Sequence, residues 1–194
     1  MREFRLILAS SSPRRRELLA EAGLEFEVVE PPLAEPATGL EGLAPAAQAE
    51  SSAYFKARAV GPREGAYVLG ADTIVAAGPA VMGKPADAAA ARAMLANLSG
   101  TRHEVITGVA LLGPGGWRRI ASATTVVVMR TITPEEVAQY VASGEWEGKA
   151  GGYAIQETAD RFVDRVEGSF SNIVGLPVEL VLQWIDEIRG QEGR

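Results

Sequence analysis

A chain of 194 residues with 47% apolar content is long enough to bury a sizeable core and too apolar to stay disordered. Its formal net charge of -6, from 25 acidic against 19 basic residues, argues against nonspecific nucleic-acid binding, which needs a basic face. With no cysteine and His103 as the single histidine, disulfides, thiolate chemistry and two-imidazole zinc sites are excluded. A metal would have to be held by oxygens, which points to magnesium or manganese, ions that sit between one or two carboxylates and a substrate phosphate. No apolar run approaches a membrane span, and Met1-Arg2-Glu3-Phe4-Arg5 is followed by too short an apolar stretch for a signal peptide. The cytoplasm is therefore the expected compartment, with no membrane partner.

Arg5-Leu6-Ile7-Leu8-Ala9 reads as a short apolar strand, and Ser10-Ser11-Ser12-Pro13 then switches to a helix. A serine cap, proline at the first helical position and the stripe Leu18, Leu19, Ala22 define that helix, which Gly23 ends. Arg14, Arg15 and Arg16 occupy its first turn, where the macrodipole disfavours cations by about 0.3–1 kcal/mol each. An anion reverses that penalty, so serine hydroxyls, free backbone N–H groups and guanidiniums at one helix start suit phosphate as well as they suit a solvated basic turn.

Glu25-Phe26-Glu27-Val28-Val29 alternates like a half-buried strand, and a long loop through Pro31-Pro32-Leu33-Ala34-Glu35-Pro36 follows. From Pro45 to about Ala59 an alanine-rich amphipathic helix is expected, with Lys56 most simply a surface lysine. Val68-Leu69-Gly70-Ala71-Asp72-Thr73-Ile74-Val75 is a buried strand interrupted by a carboxylate. An ionised Asp72 there costs several kcal/mol unless a metal, a cation, water or strand-end backbone amides meet it. Ala80-Val81-Met82 is its fold-back partner, and Asp87 caps a helix through Leu95 that Ser99-Gly100 closes. Gly83-Lys84-Pro85 is not a P-loop, because the hydroxyl residue after the lysine and the earlier glycine are missing. Nor does Asp72 lie in the D-x-D pair of a dehalogenase-like nucleophile.

Residues 103–112 and 117–129 form a hairpin around Gly113-Pro114-Gly115-Gly116, with Val126-Val127-Val128 inside the sheet and His103 structural. Thr133-Pro134-Glu135-Glu136 starts a well-capped helix that ends near Ser143-Gly144. The glycine pair in Lys149-Ala150-Gly151-Gly152-Tyr153-Ala154-Ile155-Gln156 permits a sharp turn or a close ligand, and the Gln156 amide offers a donor and an acceptor suited to a base edge. A short strand from Phe162 to Val166, a polar loop Gly168-Ser169-Phe170-Ser171-Asn172, the punctuation Gly175-Leu176-Pro177 and a helix from Val178 to about Ile188 complete an α/β chain with a mixed sheet.

Leu8-Ala9-Ser10-Ser11-Ser12-Pro13-Arg14-Arg15, Gly70-Ala71-Asp72-Thr73, Gly83-Lys84-Pro85, Leu98-Ser99-Gly100, Lys149 through Gln156 and Gly175-Leu176-Pro177 together closely resemble the Maf family, in order from about Leu6 to Leu182. The resemblance implies a nucleoside triphosphate pyrophosphatase in one domain over residues 1–194, with an inosine triphosphatase-like fold. That fold has two lobes around an elongated mixed sheet and an active site in the cleft. Thr73 after the aspartate, with Ile155-Gln156, is similar to the branch that hydrolyses dTTP and UTP to the monophosphate and pyrophosphate. In that resemblance Asp72 is the proton acceptor. Arg14, Thr73 and Gln156 set substrate choice, while Ser10, Arg15, Lys56 and Lys84 line the phosphate cleft. Glu35, together with Asp72, holds a divalent metal in that resemblance; Ala34 stands where the family often has a further acid. A homodimer is also implied. The competing expectations are a nucleotide-binding regulator linked to cell-division arrest and a phosphatase that releases orthophosphate.

Overall fold

The computed structural model describes residues 4–32, 40, 42–61, 63–78 and 80–192. It divides into two compact units, Met1–Asp72 with Thr107–Ala123 and Gly175–Arg194, and Thr73–Ile106 with Thr124–Val174. The expected α/β chain with a mixed sheet is what is found. Among the described residues a seven-stranded sheet runs β2 (Glu27–Val28), β1 (Arg5–Ala9), β3 (Ala66–Ala77), β5 (Arg102–Leu112), β6 (Arg118–Met129), β7 (Val163–Glu167), and β4 (Ala80–Met82) pairs with β3. β1 is parallel to both β2 and β3, while β4 and β7 pair antiparallel with β3 and β6. β3, β5 and β6 each pass from one unit into the other.

In the first unit β1 is buried on both faces, which is why its sequence is a continuous apolar run rather than an alternating one. Leu6 and Leu8 pack with Leu19 of α1 (Pro13–Glu21) and with Val181, Trp184 and Ile185 of α6 (Val178–Glu192). Ile7 and Ala9 face the other way, onto Ala53 and Ala57 of α2 (Pro45–Val60). The alanines of α2 serve close approach. A Cβ on Gly70 would stand 2.2 Å from the Ala53 carbonyl oxygen, and one on Gly108 would stand 2.2 Å from the Ala49 carbonyl carbon. Glycine at these two strand positions lets the helix backbone lie directly on β3 and β5.

In the second unit α3 (Ala88–Leu98) packs on α4 (Pro134–Ser143) and on the Ala150–Gly152 turn. Asp87 caps α3 by accepting from the Ala90 N–H at 2.7 Å. The expected cap of α4 is a full capping box: Thr133 Oγ1 accepts from the Glu136 N–H, and Glu136 Oε2 accepts from the Thr133 N–H.

Three local expectations differ from the structure. The strand expected over residues 25–29 is reduced to Glu27–Val28, an exposed pair at the sheet edge. Ser12 stands at the N-cap of α1 but its side chain makes no capping bond; the Ser10 hydroxyl accepts from the Ser12 N–H instead. Residues 168–172, read as a polar loop, lead into α5 (Phe170–Val174). Ser169 Oγ accepts from the Asn172 N–H, and the fully buried Asn172 amide donates to Val105 O and Thr125 Oγ1, so tertiary partners supply what five residues of sequence pattern cannot. Among the described residues no helix is long and apolar enough to cross a membrane.

Candidate active site

In the first unit β1 ends beside the middle of its parallel neighbour β3, which runs on to Ala77, and the carboxyl end of a parallel strand is where open α/β sheets bind ligands. The register Ala9↔Gly70 places Ser10 one residue beyond the paired stretch of β1 and Asp72 two residues further along β3. α1 begins immediately after Ser10, with Arg14 half-buried in its first turn. The first N–H groups of a helix lack intrahelical partners, so this turn supplies oriented donors beside a guanidinium.

Asp72 is 8% exposed, on the face of β3 that meets α2. Its charge is met by Lys56, whose Nζ lies 2.6 Å from Asp72 Oδ1, with the two side chains 15% and 11% exposed. The sequence offered a metal, a cation, water or backbone amides as partners for this carboxylate, and a cation stands there. Lys56 is correspondingly not the surface lysine of the simplest reading. Local geometry explains the reach: Gly70 precedes Asp72 by two residues on the same face of the strand, and the close seat it gives Ala53 and Ala57 brings the intervening Lys56 onto the carboxylate.

Arg15 is buried rather than displayed. Its Nε donates to Gly175 O at 2.8 Å, and Nη1 reaches Ser10 Oγ at 3.5 Å. Three of the sequence motifs are thereby joined: the serine turn, the arginine turn and Gly175-Leu176-Pro177. Sequence reading did not find this tie, and its only signal was the recurrence of punctuating glycine and proline near the C-terminus.

Thr73, half-buried, follows Asp72 on β3, where regular pleating directs it to the opposite face. Lys84 and Gln156 belong to the second unit, and both are exposed. Their loops are fastened together, since the Gly151 N–H donates to Gly83 O at 3.0 Å and a Cβ on Gly152 would touch Pro85 Cγ at 3.6 Å. Gly151 and Gly152 have φ of +71° and +73°, and a Cβ on Gly151 would meet Val75 Cγ2 at 2.9 Å, so both glycines are required by backbone conformation and the first also by space. Tyr140 Oη accepts from the Ala154 N–H at 3.1 Å, two residues before Gln156. Tyr140, Val75 and Gly83 are the supports of this loop that sequence reasoning missed.

Glu35 lies outside the described residues. Among the described residues no group of three or more carboxylates or imidazoles is placed to hold a metal ion. What they offer is Asp72, so the fit is of the kind magnesium makes with one or two carboxylates and substrate oxygens, not with a complete protein cage.

A model of the Maf-like protein family matches residues 5–188. The chain belongs to that family. Among its Maf-like relatives, a dTTP/UTP pyrophosphatase of Paramagnetospirillum magneticum is 45% identical over 182 residues, which cover 93% of this chain and 95% of the relative. A dTTP/UTP pyrophosphatase of Moorella thermoacetica is 47% identical over 176 residues, 90% of each chain. Among solved structures, a nucleoside-triphosphatase / dITP/XTP pyrophosphatase from Mycobacterium abscessus is 21% identical, with a TM-score of 0.44 over 73% of this chain and 94% of that one.

Proposed function

We propose that this Maf-like protein hydrolyses dTTP and UTP to the nucleoside monophosphate and pyrophosphate, clearing such nucleotides, modified pyrimidines included, from the pool. The observation that carries the reading is the part-buried Lys56–Asp72 pair, with Asp72 on β3 two residues past the point where β1 ends, in a chain whose relatives at 45–47% identity are dTTP/UTP pyrophosphatases.

In this reading Asp72 accepts a proton from a water that attacks the α-phosphorus. The α-β phosphoanhydride P–O bond breaks, and pyrophosphate leaves with the bonding electron pair. Lys56 holds the carboxylate in place, and on substrate binding it lies where a phosphate oxygen competes for its ammonium. Arg14, Ser10 and the first N–H groups of α1 receive phosphate oxygens, and Lys84 neutralises charge growing on the leaving group. Arg15 acts mainly by holding Ser10 and Gly175. Thr73 and Gln156 select the base. When bound, a divalent magnesium or manganese ion supplies charge neutralisation on the phosphates and a more acidic water, with Asp72 and Glu35 as its protein ligands. The reading also includes one cytoplasmic domain that works as a homodimer.

The test is purified protein with magnesium or manganese and a panel of nucleoside triphosphates, with pyrophosphate and orthophosphate measured separately. Pyrophosphate from dTTP and UTP with little from ATP or GTP is expected. Orthophosphate alone would make the protein a phosphatase, and bound but intact nucleotide would make it a binding protein.

A further inference from the structure

His103 is the chain's only histidine, and the reaction proposed above leaves it unused. It sits on β5 with 1% of its surface exposed. Its Nε2 shares a hydrogen bond of 2.8 Å with Tyr153 Oη, and the two rings meet edge to face at 86° with centroids 5.6 Å apart. Its Nδ1 has no hydrogen-bond partner among the described residues. An imidazole used at half its hydrogen-bonding capacity is a costly way to fill volume, because the bare ring nitrogen gives up water for nothing. Burial pushes the imidazole down from 6.5 to about 4, so the ring is neutral at physiological pH, and burial also raises the Tyr153 hydroxyl. The pair is therefore a fixed neutral hydrogen bond in ordinary conditions, not a proton relay.

What that bond fixes is the run into Gln156. Tyr153 follows the Gly151-Gly152 turn, and the next N–H, that of Ala154, donates to Tyr140 Oη at 3.1 Å. Two consecutive residues are thus pinned by groups on different elements, His103 from β5 and Tyr140 from α4. Tyr153, Ala154 and Ile155 are all buried, and Gln156 is the first exposed side chain after them. All of these residues lie within the second unit.

We propose that His103 and Tyr153 are specificity-positioning residues, whose shared hydrogen bond sets the backbone from Tyr153 to Gln156 and so the height and angle at which the Gln156 amide meets the base of a pyrimidine nucleotide. This rests on the pyrophosphatase reading above. A one-ångström error in a positioning element weakens productive binding without touching the reacting atoms, so the effect falls on selectivity and on KM.

The test compares wild type with Tyr153→Phe, which removes only the hydroxyl, and with His103→Gln and His103→Leu. Pyrophosphate release is measured for dTTP, UTP and dCTP, and amide hydrogen exchange is followed across residues 149–157. Tyr153→Phe is expected to raise KM for dTTP about tenfold, to leave kcat within about twofold, to erode the preference for dTTP over dCTP by a similar factor, and to speed exchange in the segment. His103→Leu should match it. His103→Gln, whose amide nitrogen reaches the position of Nε2, should restore most of the preference. Unchanged exchange and selectivity in Tyr153→Phe would overturn the inference, as would an equal fall in kcat for every nucleotide. A wild type that releases no pyrophosphate would instead remove the pyrophosphatase reading and this inference with it, and the wild-type arm alone decides that.

Discussion

Gly70→Ala is the substitution through which the candidate site is most directly exposed to test. Its Cβ would stand 2.2 Å from Ala53 O and 2.8 Å from Ala57 N, both backbone atoms of α2, where ordinary contact begins at 3.4 Å. The helix must therefore retreat by the difference between 3.4 and 2.2 Å, which is 1.2 Å. Lys56 rides on that helix, and its 2.6 Å contact with Asp72 lengthens toward 3.8 Å if the retreat is carried to the ammonium. Overpacking of this kind costs about 1–3 kcal/mol. A displacement of ~1 Å in a group that places a reacting water is worth up to ~100-fold in rate. The assay is urea denaturation alongside pyrophosphate release from dTTP. Gly190→Ala serves as control, because it sits in α6 with nothing within 4 Å of the added carbon. That control should gain about 0.5–1 kcal/mol from lowered chain entropy and keep full activity. Wild-type stability and turnover in Gly70→Ala would refute the claim that glycine-enabled helix contact builds the site.

Asp72→Asn should remove nearly all pyrophosphate release while the chain still folds, with a lowered urea midpoint because the Lys56 ammonium loses its carboxylate partner. Lys56→Met leaves that carboxylate buried without its 2.6 Å partner and should cost about 3 kcal/mol. The double variant should recover much of this loss in the same urea assay, and strict additivity would mean that the pair is not coupled. His103 gives a pH prediction. Its folded value of about 4 lies below the unfolded 6.5, so as pH falls through that window the unfolded chain takes up the proton first and stability is lost. At about 1.4 kcal/mol per unit the full loss is about 3 kcal/mol. His103→Gln should lack that slope when urea stability is compared between pH 7 and 5, above the range in which Glu136, held down to about 2 by its bond to Arg130, begins to titrate. Identical slopes in the two proteins would show that the imidazole is not buried neutral.

What was legible in the sequence divides by the range of the interaction that fixes each feature. α4 was legible because its capping box, first-position proline and left-handed Gly144 are all local. α3 was legible from the same kind of signal at Asp87, though its end ran three residues past the expected Leu95. The Glu25–Val29 alternation overstated β2, because alternation marks one buried face and not whether a neighbour continues the ladder. α5 was invisible because Asn172 is helical by virtue of Val105 and Thr125, which are far away in the chain.

The site follows the same rule. Asp72 announced itself, since a carboxylate in an apolar strand is an anomaly within eight residues. Lys56 gave no such signal, because a lysine on an alanine-rich helix looks the same whether its ammonium meets water or a carboxylate on another element. The information that separates the two was present in pieces: Gly70 and Gly108 on strands, Ala49, Ala53 and Ala57 at helical spacing on α2. Small residues on both partners mean close approach, and close approach is what turns a long, flexible side chain into a buried counter-ion. In the second unit glycine is again required, where a Cβ on Gly151 would crowd Val75 and Gly152 holds a positive φ, in the loop that ends at Gln156. In each unit, therefore, the residue with visible chemistry is placed by glycines that have none, and substitution of those glycines is the sharper probe of how the site is built.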